Sequence, residues 1–249
     1  MILLGIYYSL LMIAAQLVKQ EKPTSRCSIC KIRAYSFCRC LSEDKLQIFS
    51  KISFEKKYTN KQSIFHQNDP STHLYNITEG NVKIYQLLDD GRIQIIGFLY
   101  PGDFFGTYRN HKYNYSAEAI GELKACVFEQ KMLDKYLDQN PVLAKELLNQ
   151  TSFELTLAQD RVTVLGKLNA VERIARFLLN VSNQRERIGW QNNPISLAMT
   201  RLDIADYLGL TIETVSREFS KLKTSNVIKV ISSKQIYLNN IKKLEDYCK

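Results

Sequence analysis

Short apolar runs broken by turn residues fill the chain from about residue 48 to residue 128, and this pattern predicts an all-β unit. The runs HLYNITEGNVKIYQLL and RIQIIGFLYPGDFFG flank Asp90–Gly91, a strong hairpin signal. A later run, ELKACVFEQ, predicts a strand that carries Cys126 at the end of this region. The region is typical of a barrel or sandwich of short strands.

The pattern changes at Asn140, where Pro141 in the first helical position predicts the start of a helix that runs to Leu165. Seven positions in this helix follow a spacing of four and three, and six of them are apolar: Ala144, Leu148, Thr151, Leu155, Ala158, Val162 and Leu165. The helix either packs on its own domain or pairs with a second copy. Its length and small alanines favour a symmetric dimer. We expect dimer contacts from Leu148, Leu155, Ala158, Val162 and Leu165.

Residues 199–225, MTRLDIADYLGLTIETVSREFSKLKTS, predict two short helices joined by a tight turn. Thr200 with Asp203 resembles a capping arrangement, Gly209 ends the first helix, and Thr211 caps the second. Two apolar stripes are expected to be buried: Leu202, Ala205 and Leu208 in the first helix, and Ile212, Val215, Phe219 and Leu222 in the second. An amphipathic helix over residues 169–183 precedes them, and VIKVI with QIYLNNI predicts a hairpin, or wing, after them.

Helix, glycine turn and helix form the motif that places its second helix in the DNA major groove. The outward side chains of that helix suit base edges, because arginine bonds to guanine, glutamate to the cytosine amino group and serine to either. The expected DNA contacts are Thr211, Glu213, Ser216 and Arg217, with Arg201, Lys221 and Lys223 on phosphates. An ordinary two-helix hairpin is the alternative, and the glycine turn and polar outer face argue against it.

Composition and charge agree with a globular chain that contacts a polyanion. The 249 residues are 45% apolar and 24% charged, which excludes a disordered, collagen-like or multi-span membrane protein. The net charge of +9 permits nucleic acid as a partner. Residues 1–18 carry no charge but are short for a membrane span, so we expect a non-spanning helix or a true start at Met12, with a membrane anchor as the alternative. No cleavable secretion signal is evident, and a cytoplasmic location is expected.

The chain has six cysteines, and four of them fall within fourteen residues: Cys27, Cys30, Cys38 and Cys40. Thiolates bind iron–sulfur clusters or tetrahedral zinc, and basic residues surround this segment. Cys126 is a plausible remote ligand. None of the three histidines has ligand spacing, so a zinc site with two histidines is not expected.

Four segments of the chain resemble the CRP/FNR superfamily of bacterial transcription regulators, and in particular its FNR branch. They are NITEGNVKIY, IGFLYPGDFFG, KLNAVERIARFLLN and MTRLDIADYLGLTIETVSREFSKL. The resemblance implies an α+β chain with a cyclic-nucleotide-binding-like β-roll, a long dimerisation helix and a C-terminal winged helix-turn-helix. The implied divisions are an extension (1–26), a cysteine arm with the β-roll (27–140), the dimerisation helix (141–168) and the DNA-binding domain (169–249).

The C-x2-C-x7-C spacing resembles that of FNR-like regulators of alphaproteobacteria, and implies an oxygen-labile [4Fe-4S] cluster on Cys27, Cys30, Cys38 and Cys126. Cys40 is additional to the pattern and competes with Cys38. A cAMP-binding member has a Glu and an Arg-Ser pair where Thr107 and Tyr115–Ser116 stand here. Without the arginine a bound phosphodiester has no charge partner, so no cyclic nucleotide is expected.

The second helix of the motif resembles the FNR type of recognition helix at Ile212, Glu213, Ser216 and Arg217. They imply a homodimer on double-stranded DNA, with TTGAT-like half-sites in a palindrome, that acts with RNA polymerase. The expected function is therefore an oxygen- or redox-sensing transcription regulator and not an enzyme. Two alternatives remain: a regulator of the same fold with zinc or no cluster and another signal, and an iron–sulfur or thiol redox enzyme. The sequence contains no nucleotide-binding glycine-rich loop, which argues against the enzyme alternative.

Overall fold

The computed structural model describes residues 25–106, 108–109 and 111–248. The uncharged segment 1–18 and Thr107, for which the sequence made predictions, lie outside the described residues. No helix in the described part of the chain is long and apolar enough to cross a membrane. The described chain begins with an arm that contains two short 3-10 helices, Arg33–Tyr35 and Phe37–Cys40, and continues into helix α1, Glu43–Lys51.

An antiparallel six-stranded sheet follows the arm and forms the β-roll. Its path is β1-β8-β3-β4, with β2 paired to β8 and β5 paired to β3. A separate two-stranded ribbon joins β6 to β7. The strands are β1 Ser53–Tyr58, β2 Ser63–Phe65, β3 His73–Leu87, β4 Ile93–Leu99, β5 Phe104–Phe105, β6 Tyr108–Arg109, β7 Lys112–Tyr113 and β8 Ser116–Glu129.

The predicted hairpin and the predicted strand around Cys126 are both confirmed. Asp90 and Gly91 lie in the turn between β3 and β4, and Gly91 has φ of 83°. Cys126 lies in β8, opposite Asn76 of β3 and Glu55 of β1. The expected start of the β region near residue 48 is wrong, because α1 covers that position and buries Leu46 and Phe49 at helical spacing.

The two faces of this sheet pack against different partners. Successive residues of a strand point to opposite faces. Leu123 and Val127 of β8 join an aromatic core inside the roll, whereas Phe128 packs with the arm residue Phe37 on the other face. Cys126 is packed against that second core. The arm and α1 therefore cover the face of the sheet that carries Cys126.

Three helices continue the chain: α2 Gln130–Asp138, α3 Pro141–Lys167 and α4 Ala170–Arg187. The start of α3 at Pro141 is confirmed, and the helix extends two residues beyond the predicted end. Asn169 and Glu172 form a capping box at the start of α4. The helix α4 is longer than the sequence predicted, since it continues beyond Asn183 to Arg187.

The predicted winged helix-turn-helix is present. It contains β9 Ile195–Ser196, α5 Arg201–Leu208, α6 Ile212–Thr224, β10 Ile228–Ser232, β11 Gln235–Leu238 and α7 Ile241–Asp246. Thr200 and Asp203 form the capping box of α5, and the Thr211 hydroxyl accepts from the Thr214 amide. Gly209 ends α5 with φ of 62° and ψ of 41°, a left-handed conformation that favours glycine. The strands β10 and β11 pair as the wing.

Two apolar residues expected in the buried stripes are exposed instead. Leu202 is 56% exposed and Ile212 is 40% exposed, so their assignment to the core is wrong. Both lie in the first turn of their helices. Ile204 fills the core in α5, together with the predicted Ala205 and Leu208.

The DNA-binding unit packs directly on the β-roll. The rings of Phe98 in β4 and Tyr207 in α5 have centroids 5.0 Å apart. Lys83 Nζ lies 3.3 Å from Asp203 Oδ1 and 3.0 Å from Glu118 Oε1. The first helix of the helix-turn-helix is thus held against the sensor sheet by an aromatic contact and a half-buried charge network.

Candidate functional site

Thiol groups gather where the arm meets the sheet. Cys27, Cys38, Cys40 and Cys126 all pack against the aromatic core formed by Phe37 and its neighbours. The six cysteines at the described positions are free thiols. The sequence placed Cys126 about ninety residues from the others, and the fold brings it to the same core.

Burial and neighbouring cysteines raise the pKa of the Cys38 and Cys126 thiols. Burial raises the pKa of Cys126 to about 12, and the charges of Cys30 and Cys27 add to this effect. Burial also raises the pKa of Cys38, with contributions from Cys27, Cys126 and Cys30. Cys27, Cys38 and Cys126 pack against one core, and the Cys30 amide donates to the Cys27 carbonyl oxygen at 3.4 Å, so these four cysteines lie in one region. We call these four the thiol group.

Arg26 supplies positive charge to the thiol group. It counteracts the rise in the pKa of Cys27 and of Cys126, for both of which burial is the larger influence. Its guanidinium also donates to the Ser50 carbonyl oxygen at 3.2 Å and to the Ser53 carbonyl oxygen. One arginine therefore fixes the start of the arm to the sheet and lowers the cost of negative charge on the sulfur atoms.

Cys40 has different surroundings from the thiol group. Its Sγ donates to the Phe37 carbonyl oxygen at 3.3 Å. Burial raises its pKa, followed by the charge of Glu146 on the long helix. Cys38 and Cys40 are the two candidates for the third ligand of the arm. The different surroundings of Cys40 favour Cys38 as the partner of Cys27, Cys30 and Cys126.

The donor chemistry of the thiol group fits an iron–sulfur cluster or zinc, since cysteine thiolates bind both. In the described part of the chain, no three His, Cys, Asp or Glu side chains converge as ligands of a single ion. Zinc requires sulfur atoms at about 2.3 Å from one centre. A [4Fe-4S] cluster is held by four cysteine thiolates distributed around it, and four thiols are the donors present here. The adjacent Arg26 would offset part of the negative charge of a group held by these thiols.

The arm also contacts the long helix α3. Phe37 and Leu41 share a core with Leu143, which is fully buried near the start of α3. Arg39 Nη2 lies 2.8 Å from Glu146 Oε1. The residues on either side of Cys38 thus connect the thiol group to the helix that carries the apolar seam.

The apolar seam of α3 consists of the predicted dimer contacts Leu148, Leu155, Ala158, Val162 and Leu165. It faces away from the rest of its own chain. Leu148 is 64% exposed, Leu155 59% and Val162 73%, and Ala158 is exposed as well. Leu165 is half-buried. Apolar side chains in a line at heptad spacing are typical of a helix that pairs with another helix. The alternative, in which this face packs on its own domain, does not match their exposure.

Aromatic side chains fill the interior of the β-roll. The ring of Phe65 stacks on Tyr113 at 3.7 Å between centroids, and Tyr75 stacks on Phe105 at 5.0 Å. At the two positions where cAMP-binding relatives have their Arg-Ser pair, the polar groups serve internal hydrogen bonds. The Tyr115 hydroxyl accepts from the Gly106 amide, and the Ser116 hydroxyl accepts from the Gln67 amide.

Most of the predicted DNA contacts lie on one exposed face. Thr211, Glu213, Ser216, Arg217 and Lys221 are all exposed at or along α6. A residue that the sequence did not single out organises this face. Glu218 is buried, and its Oε1 accepts from Arg217 Nε at 3.1 Å and from Lys221 Nζ at 2.9 Å. An acidic residue with basic ones at −1 and +3 was the only signal available in the sequence.

Arg201 differs from the other predicted contacts. Its guanidinium carbon lies 3.5 Å from the centroid of the Phe219 ring, and burial lowers its pKa. Its Nη1 is buried and has no hydrogen-bond partner among the described residues. The side chain therefore packs across the two helices of the motif, and its phosphate contact stays a prediction.

A β-roll, a long helix with an exposed apolar seam and a winged helix-turn-helix together define a two-domain DNA-binding transcription regulator. Two family models match the chain: the cyclic nucleotide-binding domain over residues 55–140 and the Crp-like helix-turn-helix domain over residues 172–247. The chain belongs to the Crp/FNR family of transcription regulators, and it is not an enzyme.

Relatives with known names support this assignment. The nitrogen fixation regulation protein FixK of Bradyrhizobium diazoefficiens is 37% identical over 205 residues, which cover 82% of this chain and 86% of that protein. The transcriptional activator protein FnrL of Cereibacter sphaeroides is 30% identical over 230 residues, which cover 90% and 93%. The solved structure of FixK2 from Bradyrhizobium japonicum has a TM-score of 0.74 at 34% identity, over 79% of this chain and 97% of that one.

Proposed function

We propose that this regulator senses oxygen or redox state through a [4Fe-4S] cluster held by Cys27, Cys30, Cys38 and Cys126. The observation that carries the proposal is the thiol group itself, in which Cys27 and Cys38 of the arm and Cys126 of the strand pack against one core and Cys30 is hydrogen-bonded to Cys27. When bound, the cluster supplies an oxygen-labile link between the arm and the sheet.

The chain's own residues carry the signal from the thiol group to the dimer seam. Phe37 and Leu41 of the arm pack on Leu143, and Arg39 pairs with Glu146. An arm fixed to the sheet holds these contacts, and a loosened arm releases them. A shift of a few kcal/mol between the two states is enough to change the dimer population.

A homodimer joined along α3 presents two copies of α6 to DNA. Its two-fold symmetry is mirrored in a palindrome of TTGAT-like half-sites, about one helical turn apart. Arg217 reads guanine, Glu213 the cytosine amino group, and Ser216 an adjacent base. The remaining proposed contacts are from Thr211, and from Lys221 and Arg201 to phosphates. The regulator then acts in the cytoplasm with RNA polymerase.

The β-roll takes no cyclic nucleotide in this proposal. Aromatic stacking of Phe65 with Tyr113 occupies the interior, and Tyr115 and Ser116 use their hydroxyls within the roll. No arginine stands at these two positions to pair with a phosphodiester. Buried phosphate without such a partner is costly.

The test compares DNA binding without oxygen and after exposure to air, on a TTGAT palindrome. The wild-type protein, Cys126→Ser and the control Cys40→Ser are purified anaerobically. We expect the wild type and Cys40→Ser to bind without oxygen and to lose affinity in air, and Cys126→Ser to bind weakly in both conditions. An unchanged oxygen response in Cys126→Ser would overturn the proposal. Zinc in a colourless wild-type protein would favour the alternative of another signal.

A further inference from the structure

Asn76 is a buried polar residue whose amide oxygen is unpaired. Its side chain is 2% exposed, and Oδ1 makes no hydrogen bond within the described part of the chain. Most buried polar atoms in folded proteins have a partner. Thr78, two residues further along β3, shows the usual case, since its hydroxyl donates to the Lys124 carbonyl oxygen at 3.0 Å.

The position of Asn76 is directly beside the thiol group. It lies opposite Cys126 in the antiparallel pair of β3 and β8. Residues directly opposite in such a pair lie on the same face, with Cβ atoms about 4.5–5.5 Å apart. Leu74 and Phe128, the neighbours of Asn76 and Cys126 on this face, belong to the core beneath the arm.

The packing of the sheet does not account for an amide at this position. On its other side Asn76 is opposite Phe104 of β5, whose ring packs on Phe37 at 5.1 Å. An apolar side chain of the same size would satisfy these surroundings without an unpaired oxygen. The sulfur of Cys126 is the chemical partner that the strand register brings to Asn76.

We propose that Asn76 is a positioning residue for the metal centre, and that its amide donates a hydrogen bond to the Cys126 sulfur once that sulfur is a thiolate ligand. Rotation of the terminal amide by 180° exchanges Oδ1 with the donor Nδ2. Hydrogen bonds to ligand sulfur atoms stabilise the more negative, reduced state of a cluster and so raise its reduction potential. This inference rests on the cluster assigned to the thiol group under the proposed function.

The test uses two variants that each remove an unpaired buried polar atom. Asn76→Leu removes the amide beside Cys126. Tyr58→Phe, the matched control, removes a hydroxyl that is also buried and unpaired but lies in the aromatic core on the opposite face of the sheet. We expect both variants without cluster to unfold at a temperature equal to or above that of the wild type.

After anaerobic loading with iron and sulfide, the two variants are expected to differ. Asn76→Leu should show a more negative reduction potential and a visible absorbance that decays in air about tenfold faster. Tyr58→Phe should match the wild type in both measurements. The inference would be overturned if Asn76→Leu and the wild type had equal reduction potentials and decay rates. It would also be overturned if both variants changed by the same amount. Either result would leave the cluster proposal intact. A wild-type protein that takes up no iron and sulfide would overturn the cluster proposal, and this inference with it.

Discussion

Arg39 forms an ion pair with Glu146, with 2.8 Å between Nη2 and Oε1. This pair joins the residue after Cys38 to the helix that carries the dimer seam. Glu146 is more enclosed than Arg39, whose side chain is 59% exposed. The contact gives the thiol group a direct physical connection to α3.

Arg39→Gln should weaken the response of the dimer to oxygen with little effect on folding. An ion pair with an exposed arginine contributes at most about 1 kcal/mol to stability. Sedimentation equilibrium with and without oxygen measures the dimer dissociation constant. Arg92→Gln, which removes an exposed pair with Asp90 at the hairpin tip, is the control and should keep the full response. An unaltered ratio of dissociation constants in Arg39→Gln would show that the pair carries no signal.

Ala158→Asp should separate the dimer into folded monomers. Ala158 is exposed on the seam between Leu155 and Val162, so two copies of the new carboxylate would meet across the two-fold axis. Thr163→Asp adds the same charge at an exposed position beside the seam and should remain dimeric. Light scattering gives the mass, and circular dichroism checks the fold. A dimeric Ala158→Asp protein would place the interface elsewhere.

Arg217→Ala should reduce sequence-specific binding by about 1–3 kcal/mol, because it removes the proposed bidentate contact to guanine. Lys223→Ala should instead weaken binding to all sequences alike and lower the salt dependence by about one phosphate contact. Fluorescence anisotropy with a TTGAT palindrome and with random DNA separates the two effects. An equal loss on both DNAs for Arg217→Ala would identify it as a phosphate contact.

The stability of the protein should fall in acid through Asp203. Burial alone would raise the pKa of Asp203, but hydrogen bonds from Thr200 and the charge of Lys83 outweigh burial and hold that pKa below its usual value. A lowered pKa in the folded state stabilises the fold above about pH 3.9, the unfolded value, and this contribution is lost as the pH falls through the folded value.

Lys83→Met tests this link between the domains. We expect a loss of about 1–3 kcal/mol at neutral pH, because two half-buried carboxylates lose their cation. The free energy of unfolding should also depend less steeply on pH below pH 5 than in the wild type. The exposed Lys229→Met serves as the control. Identical acid dependence in Lys83→Met and the wild type would argue against the coupling.

Local signals in the sequence predicted much of the fold and part of the site. The capping residues Thr200 and Asp203 and the turn at Gly209 act over a few residues, so the sequence alone locates them. Leu202 and Ile212 match the apolar spacing of their helices but are exposed, so spacing alone did not locate the buried positions.

Features that depend on long-range packing were not predictable from the sequence. The strand register of β3 and β8 brings Asn76 to Cys126, and only the folded arm separates Cys40 from the thiol group. Glu218 likewise needs the finished helix-turn-helix to bury it between Arg217 and Lys221. Such contacts join residues whose local sequence carries no sign of the partner.

The iron and sulfide content of protein purified without oxygen tests the central claim most directly. The account predicts a brown protein with about four irons and four sulfides per chain, whose visible absorbance is lost in air and is absent from Cys126→Ser. A colourless wild-type protein without iron, folded and bound to its DNA palindrome in air, would contradict it.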